Sequence, residues 1–163
     1  MEVVRRREKM SRCKFPGSLP RKMYWSDEIS GYASCPDCGA PLEFEHHTYM
    51  MVTRRSGDMD FHMVGNTAGH FCGKCPLVVL DRDEFESFVA LAVRTTDGVD
   101  FVVMGIVDLD AVPEDKRSLP FNDDTNPVPL VQFTNIGGQK SSSKSETKRS
   151  SSPKRKKRKK KRR

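Results

Sequence analysis

A chain of 163 residues, 36% hydrophobic and 31% charged, accommodates one ordinary domain plus extensions. Its net charge of +7 is unevenly spread: eight basic residues against two acids put Met1–Tyr24 at +6, fourteen against one put Gln139–Arg163 at +13, and seven against nineteen leave Trp25–Gly138 at −12. An acidic body between two basic arms excludes a uniformly phosphate-binding surface, and no stretch approaches the roughly eighteen apolar residues needed to cross a bilayer.

Composition divides the chain into residues 1–24, 25–138 and 139–163. The first segment, with VVRRREK and SRCKFPGSLPRK, shows no sustained apolar period and reads as an irregular basic arm. It lacks the apolar core of a secretory signal. The expected setting is therefore a reducing, cytoplasmic one, with the nucleus open in a eukaryotic cell, where paired cysteines are metal ligands or catalysts more often than structural disulfides.

The body opens on the first of two Cys-x-x-Cys pairs. CPDCG contains Cys35 and Cys38, CGKCP contains Cys72 and Cys75, and 33 residues separate the pairs. A short turn with two intervening residues aims both sulfurs at one ion and directs backbone N–H groups at them. A second such turn completes the tetrahedral four-thiolate set that zinc accepts. Gly39 and Gly73 give backbone freedom at these turns and Pro36 stiffens the first. Between the pairs the pattern is that of a hairpin. Leu42, Phe44 and His46 alternate with Glu43, Glu45 and His47, Tyr49–Thr53 continues the β pattern, RRSGD supplies a turn, and Met59, Phe61 and Met63 alternate again. GNTAG reads as the break that returns the chain to Cys72.

These two turns flanking a hairpin resemble the four-cysteine zinc-ribbon proteins, over Cys35 to about Leu80. The resemblance implies metal binding by the four cysteines and nothing about partners. Two alternatives stay open. A thioredoxin-like redox pair at CGKC requires a cysteine at a helix N-terminus, whereas Pro76 and LVVL point to a strand. A rubredoxin-like iron centre uses the same type of ligand. Cys13 is surplus to a closed site and reads as a free thiol; His70 reads as an ordinary loop residue, the alternatives being a replacement ligand or a support for a thiolate. His46, His47 and His62 are expected to face one another across the hairpin.

Further on, LDRDEFESFVALAV has a capping Asp81, Glu84 three residues later, an acidic first turn, and Phe85, Phe88, Val89 and Ala92 at helical spacing. After a turn at Thr95–Gly98, DFVVMGIVDL is apolar on both faces and reads as a buried strand, with Gly105 marking a bulge or a close backbone approach. From Leu109 onward, prolines and an NDD cluster predict an irregular segment packed through Leu119, Phe121, Val128, Leu130 and Phe133. Asp108, Asp110, Glu114, Asp115, Asp123 and Asp124 are solubilising turn acids, with no histidine or serine nucleophile near them to make a catalytic site.

The last segment has no large apolar side chain and is expected to be disordered. Its terminal cations, Lys154, Arg155, Lys156, Lys157, Arg158, Lys159, Lys160, Lys161, Arg162 and Arg163, suit RNA or DNA phosphates without base readout. The whole is read as α+β: a small zinc-ribbon β-hairpin domain with one packed helix and a further buried strand, flanked by disordered basic arms. The expected function is non-enzymatic, with one structural Zn2+ and nucleic acid bound by the tail. The alternative is a protein–protein adaptor whose acidic body meets a basic partner or its own tail.

Overall fold

The computed structural model describes residues 19–121 and 124–138. Six strands and a helix follow in order: β1 (Lys22–Trp25), β2 (Leu42–Arg55), β3 (Asp58–Cys72), β4 (Leu77–Leu80), α1 (Arg82–Ala92), β5 (Asp100–Val107) and β6 (Leu130–Gln132). All six strands form one sheet in the order β1-β4-β3-β2-β5-β6, antiparallel throughout except for the β1–β4 pair. The sheet curls until its edges approach. Thr134 N donates to Arg21 O at 2.9 Å, and the Asn135 side chain both accepts from Met23 N (2.9 Å) and donates to Met23 O (2.8 Å), standing in for a strand beside β1.

This half-barrel corrects the expected fold. The β2–β3 hairpin is present, but it is the middle of a six-stranded sheet and not the whole of a small ribbon domain. Three local signals hid the larger sheet. Residues 22–24, expected within an irregular arm, form most of β1, a strand too short to show a period. GNTAG does not break β3: the strand runs through it and takes up one extra residue in a bulge, with Glu45 opposite Gly69 and His47 opposite Asn66. Leu130–Gln132, expected to be irregular beside its prolines, is an edge strand on β5.

Other expectations hold. Ser56 and Gly57 both have positive φ (49° and 95°), the backbone of a type I′ two-residue turn, so Arg55 and Asp58 close the hairpin. Asp81 caps α1 by accepting from Glu84 N at 3.2 Å, and Phe85 and Val89 are its buried residues. Gly105 adjoins a bulge at Met104, since Met50 pairs with Gly105 and Met51 with Val103; a Cβ on Gly105 would collide with the Val131 carbonyl and lie 2.8 Å from Gln132 Cα. Leu119, however, stays 51% exposed. Asn126, which no sequence signal marked, holds the segment before β6 by donating to the carbonyls of Lys116, Leu119 and Pro120.

Strand alternation gives the sheet two faces. The inner face carries Met23, Trp25, Tyr49, Met51, Phe71, Val78, Leu80, Phe101 and Val103, closed by Phe85 and Val89 of α1 and by Phe133. Its rings meet edge to face: Trp25 with Phe85 at 5.9 Å and with Phe101 at 5.7 Å, and Tyr49 with Phe85 at 5.4 Å. The outer face has a smaller cluster, Cys35, Ala40, Cys72, Leu77 and Val79, beneath the loop that joins β1 to β2.

Candidate metal centre

Sequence places Cys35 and Cys38 before β2, Cys72 at the end of β3, and Cys75 in the turn into β4. Because Leu42 pairs with Cys72, the base of the hairpin brings both turns to the same place. In the first turn, Gly39 N donates to Cys35 O at 2.8 Å and Cys35 N to Ala40 O at 2.7 Å, folding the backbone back on itself. That reversal needs the left-handed backbone of Gly39 (φ 72°), whereas Gly73, expected to act likewise, has no positive φ. Asp37 fastens this turn to β1, accepting from Tyr24 Oη at 3.1 Å and lying 3.7 Å from Lys22 Nζ.

The four sulfurs converge, all lying within 4.8 Å of one another. Cys35 Sγ is 3.4 Å from Cys75 Sγ, Cys38 Sγ is 3.5 Å from Cys72 Sγ and 3.6 Å from Cys75 Sγ, and Cys72 and Cys75 are 3.3 Å apart. A tetrahedron of sulfurs about 2.3 Å from a central ion has edges of about 3.8 Å, so these four separations need only slight adjustment to hold one. Cys35 and Cys72 are buried, Cys75 is half-buried and Cys38 is exposed.

Local hydrogen bonding distinguishes the thiols. Burial acts to raise Cys72, but the N–H groups of Lys74 and Cys75, each 3.4 Å from its sulfur, and the neighbouring thiols outweigh it and bring the group down to about 7. Burial pushes Cys35 up against opposing N–H groups of Cys38 and Asp37. Burial also pushes Cys75 up, reinforced by hydrogen bonds that its neighbours make to the protonated form. Four thiolates this close repel one another, and a bound cation is what would let all four lose their protons.

The other candidate residues do not join the cage. His70 stacks on Tyr32 with ring centroids 4.3 Å apart, and burial lowers its pKa. The three hairpin histidines do not face one another, because the register puts His47 opposite Asn66 and His62 opposite Met51. His47 instead meets Glu45 Oε2 at 3.1 Å and His62 meets Thr53 Oγ1 at 3.0 Å. Among the described residues the four cysteines are the sole group of three or more potential metal-ligating side chains with converging donor atoms, and Asp108, Asp110, Glu114, Asp115 and Asp124 are not part of such a group. Asp123, Cys13 and the tail from Lys154 to Arg163 lie outside the described residues.

One polar cluster had no sequence signal. Arg21 is 1% exposed with its guanidinium 4.9 Å from the Phe71 ring centroid and acts electrostatically on Tyr49, whose Oη, like Glu45 Oε1 and Asn66 Nδ2, is buried without a hydrogen-bond partner among the described residues. Arg21 looks in the sequence like any other cation of the basic arm.

No family model, curated protein or solved structure matches the chain, and the site is read from its own chemistry. That chemistry is a set of four cysteines able to hold a metal ion, compatible with the ligand set of a zinc ribbon though carried by a different fold. No helix among the described residues is long and apolar enough to cross a membrane.

Proposed function

We propose that the protein is a non-enzymatic structural-zinc protein that associates with RNA or DNA through its basic C-terminal tail. The observation that carries the metal half is the closed all-sulfur cage, with every Sγ within 4.8 Å of the others. Four sulfurs fill a tetrahedral zinc ion and leave no position for substrate, which supports a structural role over a catalytic one. A redox role for the second pair is disfavoured because Cys75 leads into β4, not into a helix; α1 starts only at Arg82. Thiolates held as ligands suit a reducing intracellular compartment.

The association half rests on the charge partition. A net +13 over Gln139–Arg163 against −12 over Trp25–Gly138 leaves the tail as the polyanion-seeking part of the chain. Elemental analysis of the purified protein should return one zinc per chain and no chromophore; a red protein with charge-transfer bands would mean iron instead. RNA binding should weaken steeply with salt and disappear when Pro153–Arg163 is removed. Equal RNA affinity in the shortened chain would sink the tail's role. Recovery of one protein partner after nuclease treatment would favour the adaptor reading, in which the acidic body does the binding.

A further inference from the structure

β3 runs from Asp58 to Cys72, but β4 covers only its end, where Gly69, His70 and Phe71 pair with Leu80, Val79 and Val78. Over residues 58–65, β3 has β2 on one side and, among the described residues, no strand on the other. The turn decides which backbone groups face that open side. A two-residue hairpin loop makes its flanking residues, here Arg55 and Asp58, a closely hydrogen-bonded pair, and the pairs alternate from there. Asp60 and His62 therefore bond to β2, opposite Thr53 and Met51, while Met59, Phe61 and Met63 turn their N–H and C=O groups outward.

The same three residues carry exposed side chains, at 58%, 67% and 49%. An apolar edge of this length is normally blunted with Lys, Pro or a bulge. Residues 58–65 contain neither Lys nor Pro, the bulge of β3 comes only beyond them, and the one charge between Met59 and Met63, Asp60, is of a sign that His62 of a second copy can meet.

The sequence along this edge is Met59-Asp60-Phe61-His62-Met63, which is symmetric in chemistry about Phe61. Two copies paired antiparallel about a two-fold axis at Phe61 put Met59 opposite Met63, Phe61 opposite its own copy, and Asp60 opposite His62. Every position with outward backbone groups then meets another such position, so the pairs 59 with 63, 61 with 61 and 63 with 59 each exchange ladder bonds. The apolar side chains gather on one face and the two Asp–His pairs lie on the other. His62 already uses Nε2 toward Thr53, which leaves Nδ1 for a carboxylate across the dyad. A palindromic edge is what an isologous interface demands, because each copy must serve as both halves of the contact. We infer that residues 58–64 of β3 form a self-association edge that joins two copies into one continuous antiparallel sheet. This goes beyond the zinc and tail reading and does not depend on the tail.

The contact is one strand wide, well below the roughly 1,200 Å² of a standard interface, so the dimer is weak and forms at high concentration. Sedimentation of the full chain over a concentration series should show the 18.5 kDa monomer passing to twice that mass, with amide exchange at residues 59, 61 and 63 slowing as the dimer forms. Phe61→Lys, which sets two cations on the dyad, should abolish the change in mass. Asp60→Lys should weaken the dimer about tenfold, and Asp60→Lys with His62→Glu should restore it, a rescue that a general loss of folding could not produce. A monomer at every concentration overturns the inference, as does a dimer indifferent to Phe61→Lys or a double variant that stays weak while its circular dichroism is native. Protection of those amides in a monomer, independent of concentration, would mean that the chain's own arm holds the edge, and this too overturns it.

Discussion

The two faces of the sheet are closed by different means. On the inner face, six aromatic rings (Trp25, Tyr49, Phe71, Phe85 of α1, Phe101 and Phe133) and the aliphatic side chains around them are buried together. On the outer face the buried set is Cys35, Ala40, Cys72, Leu77 and Val79, two of them thiols, under a loop whose regular pairing is the single bridge of Ser34 with Pro41. The second cluster has fewer and smaller apolar side chains to bury than the first, so apolar burial stabilises it less. Crosslinking by an ion would do on the outer face what aromatic packing does on the inner one.

The largest expected effect breaks the outer face alone. Cys72→Ser should abolish metal binding and release the loop between β1 and β2, because structural zinc supplies roughly 10–16 kcal/mol of apparent binding energy, as much as the whole stability of a small domain. Cys35→Ser should behave alike, and chelation of the wild-type protein should reproduce both in thermal melts followed by circular dichroism. A full complement of metal whose removal leaves the melting curve unmoved would show that the outer face closes without an ion.

Next in size is the matching break of the inner face. Trp25 touches Phe85, Phe101 and the Arg82 guanidinium, which lies 4.6 Å from its ring centroid. Trp25→Ala should cost about 3–5 kcal/mol in denaturant unfolding while the metal content stays stoichiometric. Loss of the metal together with the core would mean that the two faces are one cooperative unit. Their independence is the sharper claim, since Trp25 and Tyr24 are neighbours on β1 that belong to opposite clusters.

How much of this the sequence disclosed follows the same division. The cysteine turns, the helix cap at Asp81 and the SG turn are short-range signals, fixed by residues three or four apart, and each was legible. The half-barrel is set by long-range pairings that leave little local trace: β1 with β4 through four residues, and Asn135 with Met23 across the curl. GNTAG misled for a physical reason. Its residues favour turns, yet Gly69 is there because Tyr49 Oη and the Phe71 ring occupy the space a Cβ would need. The histidine expectation fails on register that the SG turn already fixes: with Arg55 opposite Asp58, counting back puts His62 opposite Met51 and His47 opposite Asn66 before the bulge at Thr67–Ala68 is reached.

Smaller effects test how closely the edge strands are fitted. Gly105→Ala places a methyl group against the Val131 carbonyl, where only backbone could give way, and should cost about 1–3 kcal/mol while loosening β6 in amide exchange. Asp81→Ala removes the side-chain acceptor for Glu84 N and should cost about 1 kcal/mol, seen as fraying of the first turn of α1. Native exchange at Leu130–Gln132 in the glycine variant would show that β6 tolerates displacement from β5.

The smallest effect concerns the polar defect of the inner face. Tyr49 is fully buried and its Oη has no hydrogen-bond partner among the described residues. Burial pushes its phenol well above the ordinary value; the Arg21 charge opposes this and the Glu45 charge adds to it. The folded state therefore favours the neutral phenol, so this contribution is intact below about pH 10, the unfolded value, and is lost as pH rises beyond it. Tyr49→Phe should leave stability at neutral pH unchanged or raised by up to about 1 kcal/mol, and should flatten the alkaline limb of the stability profile. A loss of more than about 1 kcal/mol would mean that the hydroxyl is hydrogen-bonded in solution, and that the inner face too relies on a polar tie.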